Sequence, residues 1–245
     1  MAKPLPRPSH ATLTKSVIEC AENGDRLLEE MYDLEFRPIV ATRYFMAMIA
    51  QEEFAKAFLL LLIRDEVVPF MPEVLRAIND HTCKQLVGIV MDYIIMHWEE
   101  LEELEALLAA DGGKEGPFPP IVASALNLLR HEKIGRWKSN KWWWADDPDY
   151  DREAAAVAEG KKDRRKQDAL YVRIGRDGRT ASNPKTVTEF ECLSERDRAS
   201  RYSGLIASAL KGAQKSYRFE KTVGVLRLLF QHTNMIAETN DQANI

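Results

Sequence analysis

Three ionisable residues stand inside one of the most apolar stretches of this 245-residue chain. Between Arg43 and Ile63, 16 of 21 residues are apolar, and Glu52, Glu53 and Lys56 sit near the middle. On a helix advancing about 100° per residue, Phe45, Ile49, Glu52, Lys56 and Leu60 share one stripe, with Glu53 about 60° to the side. A solvated face would be polar above and below its charges. Here Phe45, Ile49 and Leu60 flank them, which predicts a buried position or the floor of a cleft. Charges in such a place have to be paired, and Glu52 and Lys56 have the favourable i,i+4 order. Two readings follow: a structural ion pair that fixes helix register, or a buried carboxylate that orients a catalytic group.

The histidines supply the candidates for that group. Asp80-His81-Thr82-Cys83-Lys84 places His81 and Lys84 on one face at i,i+3, and Arg76 precedes His81 by five residues. Arg227 and His232 repeat the spacing. Metal-free RNA cleavage needs a base for the 2′-hydroxyl, an acid for the leaving oxygen and a fixed cation for the crowded phosphorane. Histidine and arginine suit those tasks. On a continuous helix residues five apart diverge by about 140°, so Arg76 and His81 converge only at a helix end, across a break, or across a dimer axis. The plainer reading is a lone helix histidine bonded locally.

Other chemistries lack their usual signals. Glu-x-x-His, His-x-x-x-His and HExxH are absent, as are a P-loop, GxGxxG and GxSxG, so no metal and no cofactor is expected. A metal-dependent enzyme using Asp80, His81, Glu52 and Glu53 is the weaker alternative. Cys20, Cys83 and Cys192 are far apart and form no CxxC, which suggests neither a zinc ribbon nor a disulfide framework. The N-terminal MAKPLPRPSH does not read as a signal peptide. Three ionisable groups in the apolar run are costly in lipid, so no membrane span is expected and the cytoplasm is the expected compartment.

Scarce glycine and long stretches without proline predict long helices. The first is capped by Ser9 or Thr12 and runs to about Phe36; the second runs from Pro38 to about Asp65. A third runs from Pro72 to about Ala110, with a kink near Gly88. Asp111 to Pro120 reads as a loop, and a fourth helix follows from Ile121 to about Trp144. A polar helix from Arg152 to Lys166 leads through Tyr171, Val172 and Ile174 into a hairpin turn at Asp177-Gly178. The last helical stretch extends from about Thr188 to Ala237, broken near Gly204 or Gly212. The expected fold is an all-α bundle with a small β-hairpin excursion. It divides into a helical bundle with the candidate site (9–145), a basic helix-plus-hairpin insertion (146–186), and C-terminal helices packing on the same bundle (187–240).

RYFMAMIAQEEFAKAFLLLL (Arg43 to Leu62) resembles the signature helix of the AbiV family of bacterial abortive-infection proteins, with Glu-Glu-x-x-Lys inside an apolar run. Asp80-His81-x-x-Lys84 resembles the family's following Asp-His-x-x-Lys element. GKKDRRKQDALYVRIGRDGRTASNP (Gly160 to Pro184) is similar to its later basic segment. That family is in turn similar to the HEPN superfamily of helical bundles, many of them metal-independent ribonucleases that dimerise to join an Arg-x4–6-His motif from each subunit. The resemblance implies a HEPN-like homodimer with Arg76 and His81 as the catalytic pair, supported by Glu52, Glu53 and Lys56. Arg227 and His232 are the alternative pair, given weight by Ala77, which follows Arg76 where active members often carry a polar residue.

The net charge of −4 excludes a chain that is basic overall. Any nucleic-acid contact is therefore local. From Arg130 to Lys185 there are 15 basic and 10 acidic residues, against 19 and 28 elsewhere. This basic segment could face phosphate or the acidic run Glu99, Glu100, Glu102, Glu103 and Glu105. Lys84, Lys161, Lys162, Arg164, Arg165 and Lys166 are the candidate RNA-binding residues. Trp137, Trp142, Trp143 and Trp144 could stack bases and Lys141 hold phosphate, although large aromatics are more often core or interface anchors. The resulting expectation is an antiphage protein that cleaves or binds RNA and arrests growth, with a phage protein as activator or inhibitor. The competing expectation is a non-catalytic helical module that sequesters a phage or translation protein.

Overall fold

The computed structural model describes residues 6–37, 40–97, 100, 103, 119–134, 150–211, 224 and 226. The described chain is helical apart from one two-stranded hairpin, the all-α class expected. No helix among the described residues is long and apolar enough to cross a membrane.

Helix α1 (His10–Asp33) begins where the Ser9 hydroxyl accepts from the Thr12 amide, supplying a partner for one of the unpaired donors of a helix start. It buries Leu13, Val17 and Met31. Gly24 lets it approach α2 (Ala41–Arg64) closely, since a Cβ there would lie 2.6 Å from the ring of buried Phe54. Helix α2 is apolar on almost every side and is accordingly the core rod, covered by α1 and by the helices His81–Met96 and Glu189–Lys211.

The expected third helix is two helices. Helix α3 (Pro72–Asn79) stops at Asp80, whose backbone is extended, and α4 (His81–Met96) starts on the next residue. The Asp80 carboxylate accepts from the Cys83 amide at 2.8 Å and so caps α4. The break falls there and not at Gly88, which lies inside α4, because a side-chain cap makes an interruption locally favourable. His81 thereby becomes the first residue of a helix whose next turns carry Lys84, Gln85 and Gly88.

Helix α5 (Pro120–Asn127) continues into a π-helical stretch, Leu128–Ile134, and packs on α4. The single polar helix expected over Arg152 to Lys166 is likewise two, α6 (Arg152–Ala158) and α7 (Lys161–Asp168), separated by Gly160 at φ 75°. That left-handed conformation is one glycine adopts at little cost. Strands β1 (Arg173–Ile174) and β2 (Thr180–Ser182) pair antiparallel around the expected Asp177-Gly178 turn, with Gly178 at φ 76°. Helix α8 (Glu189–Lys211) runs unbroken through Gly204 and lies against α2; Gly212 lies outside the described residues. The third expected helix also stops short of Ala110, since α4 closes at Met96 with the His97 amide donating to the Tyr93 carbonyl; the ends of the fourth and last expected helices fall outside the described residues.

Asp80→Ala removes the cap that starts α4. It is expected to lower unfolding free energy by about 1 kcal/mol in denaturant titration, with Asp80→Asn retaining most of the stability because asparagine also caps.

Candidate active site

Glu52 is the centre of the site. Its residue is 2% exposed, and both carboxylate oxygens are used. Oε2 lies 2.5 Å from His81 Nδ1 and 3.0 Å from Lys84 Nζ. Oε1 accepts from Lys166 Nζ at 2.6 Å and from Gln85 Nε2 at 3.2 Å. His81, Lys84 and Gln85 occupy positions i, i+3 and i+4 of the first turns of α4, so one helical face presents all three to α2. Lys166 comes from α7, where it also meets Asp163 Oδ1 at 2.7 Å, and is 3% exposed.

Burial alone would push the Glu52 carboxyl up, but the Lys84 and Lys166 ammoniums and the His81 bond outweigh it and hold it below its ordinary range. The carboxylate is therefore ionised. The four groups Glu52, Asp163, Lys84 and Lys166 carry charges that sum to zero, the condition under which charges survive burial.

An ionised Glu52 fixes the histidine tautomer, because a carboxylate only accepts. Nδ1–H of His81 donates to Glu52, and it is Nε2 that carries the lone pair of the neutral imidazole. The His81 side chain is 53% exposed, and no hydrogen bond engages Nε2 among the described residues. Lys166 Nζ lies 3.1 Å from Nδ1; with the Nδ1 proton directed at Glu52, that approach is packing. The arrangement is a buried carboxylate orienting an imidazole whose free nitrogen faces outward, the geometry of a general base.

Glu52, His81 and Asp163 also place one potential metal-ligand atom each within 4.8 Å of one another. The donor set would suit a divalent ion. However, Lys166 Nζ stands 2.6, 3.1 and 2.7 Å from atoms of these three residues. A metal would have to expel a lysine that is itself buried. The protein supplies its own cation at that point.

The other expected site residues are spread more widely. Glu53 and Lys56 pair with each other at 2.6 Å, so Lys56 does not neutralise Glu52, as expected from the helix wheel; Lys84 and Lys166 do. Lys84 and Lys166, expected at an RNA surface, lie inside the protein. Of the remaining basic residues, Lys161 pairs with Glu159 at the surface, Arg164 is exposed and Arg165 makes a bidentate bond to Glu191. Lys162 points inward, 3.6 Å from Glu195 of α8. Arg76 is exposed on α3, and among the described residues no bond joins it to His81 or Glu52. Arg227, His232, Trp137, Lys141 and Trp142 to Trp144 lie outside the described residues.

Gln85 and Asp163 were not among the expected site residues. The i,i+4 spacing of His81 and Gln85 was available as a signal. Comparison with protein families, characterised proteins and solved structures finds no match for this chain.

Glu52→Gln strands Lys84 and Lys166 in the interior with only Asp163 to balance them. It is expected to cost about 3–5 kcal/mol in denaturant titration, whereas Glu53→Gln, which breaks a partly exposed pair, costs well under that. The pH profile supplies a second check. The folded-state value of Glu52 is lowered, so its stabilisation is complete above the ordinary glutamate value of about 4.3. It is lost as pH falls through the depressed value, and Glu52→Gln should flatten that acid limb of a stability-versus-pH curve.

Proposed function

We propose that this protein is a metal-independent endoribonuclease of the HEPN-like kind that its AbiV-resembling motifs suggest, acting as a homodimer in the cytoplasm during antiphage defence. The observation that carries the reading is the Glu52–His81 pair, in which a buried carboxylate holds Nδ1 and leaves Nε2 open to solvent. In this scheme Nε2 removes the proton from an RNA 2′-hydroxyl. The 2′-oxygen then attacks the adjacent phosphorus, and the 5′-oxygen leaves with a proton from an acid. One imidazole cannot begin a turnover as both base and acid. A second copy related by a two-fold axis would supply the other group, and Arg76 the cation for the phosphorane. Cleavage leaves a 2′,3′-cyclic phosphate and a 5′-hydroxyl and consumes no cofactor. Cutting host or phage RNA would arrest growth, with a phage protein as trigger or inhibitor.

A different observation favours a non-catalytic binding module. Each Glu52 oxygen has two internal partners, as a purely structural ion cluster requires, and Arg76 is not tied to His81. On that reading the bundle sequesters a phage or translation protein.

One assay separates the two. Purified protein is incubated with total RNA in excess EDTA, alongside His81→Ala, and phage plating is measured in parallel. The ribonuclease reading expects RNA fragments ending in cyclic phosphate, a loss of about 10²–10⁴-fold in rate for His81→Ala, and loss of defence with it. Intact RNA, together with phage resistance that survives His81→Ala, would refute it and favour the binding module.

A further inference from the structure

The hairpin that follows α7 buries none of its own strand residues, and a two-stranded element of this size is marginal in water by itself. Here it is pinned in place. Arg173 Nη2 and Ser182 Oγ, register partners across the two strands, both donate to the Asp168 carboxylate, at 2.9 and 2.6 Å. Asp168 closes α7, two residues beyond Lys166, whose Nζ lies 3.1 Å from His81 Nδ1. One eight-residue helix thus anchors both the Glu52 cluster and a hairpin whose strands add nothing buried to the core.

What the hairpin presents is apolar and cationic together. Tyr171 is 65% exposed, and Val172 and Ile174 are each 58% exposed. Arg176, Arg179 and Lys185 are exposed on its turn and its exit. The carboxylates nearby in sequence are already matched: Asp168 with Arg173, Glu189 with Arg43, and Glu191 with Arg165. Within residues 170–186 the one carboxylate set against the three remaining cations is Asp177, 3.9 Å from Arg179. Among the described residues no hydrogen bond or ion pair engages the Arg176 guanidinium or the Lys185 ammonium.

Surplus positive charge on an exposed element suits a polyanion. Exposed tyrosine, valine and isoleucine beside it suit flat apolar faces. An acidic peptide meets the first demand alone. A nucleic-acid strand with unpaired bases meets both, because its bases stack on aromatic side chains while its phosphates take the guanidinium groups. A duplex keeps those faces inside its own stack.

We infer that this hairpin is a docking face for single-stranded nucleic acid, with Tyr171 stacking a base and Arg176 and Arg179 holding the flanking phosphates. That the strand is RNA rests on the ribonuclease reading, under which the hairpin grips the substrate on the α7 side of His81.

Fluorescence anisotropy of the full chain with a labelled 2′-O-methyl oligouridine, which lacks the attacking hydroxyl and cannot be cut, tests docking separately from cleavage. Arg176→Gln combined with Arg179→Gln is expected to weaken binding by about tenfold at low salt and to reduce the slope of log affinity against log salt by about 1.4. Tyr171→Ala is expected to weaken binding by about fivefold or more and to leave an RNA duplex of the same length unaffected. All three side chains are exposed, so melting temperatures should hold. Polyglutamate, charged but without bases, should compete poorly. The proposal is overturned if the oligonucleotide does not bind, if either variant binds as the wild type does, or if Tyr171→Ala weakens the duplex equally. Tighter binding of polyglutamate would also overturn it and assign the face to an acidic protein. Docking with ordinary RNA left intact sinks the ribonuclease reading and leaves the docking face standing; RNA cut by variants whose binding is unchanged does the reverse.

Discussion

An ionised carboxylate on the most apolar helix of the protein sets the conditions for the rest of the site. None of the bonds to Glu52 among the described residues comes from α2 itself, and an isolated buried charge there would be intolerable. Compensation has to arrive from other elements. It comes from α4, which delivers His81, Lys84 and Gln85, and from α7, which delivers Lys166. Three segments far apart in sequence are thus bound to one point. This constrains the register of α4 on α2 more tightly than apolar packing would, because a helix rotated by one residue would carry all three donors off Glu52.

Two local interruptions make that convergence feasible. The extended residue Asp80 ends α3 and allows α4 to begin with its donor face already turned towards α2. Gly160 ends the run from α6 and redirects α7, so that Lys162 and Lys166, one turn apart, both face inward. The same helix sends Arg164 and Lys161 to the surface. A short, highly charged helix therefore has two unlike faces. One neutralises the interior anions Glu52 and Glu195, and the other is solvated.

This explains which parts of the fold and site the amino-acid sequence made legible. The apolar run of α2, the Ser9 start of α1 and the Asp-Gly hairpin are local patterns with local causes, and each appears where expected. The burial of Glu52 could be inferred because Phe45, Ile49 and Leu60 flank it on the wheel. The identity of its partners could not. Lys56 is the nearer cation in sequence, but its i,i+3 bond goes to Glu53, while the cations that reach Glu52 come from 32 and 114 residues away. KKDRRKQD also looks uniformly solvated, since nothing local distinguishes the lysine that packs inward from its exposed neighbours. Long-range charge pairing leaves no periodic trace, and neither does a break created by a side-chain cap.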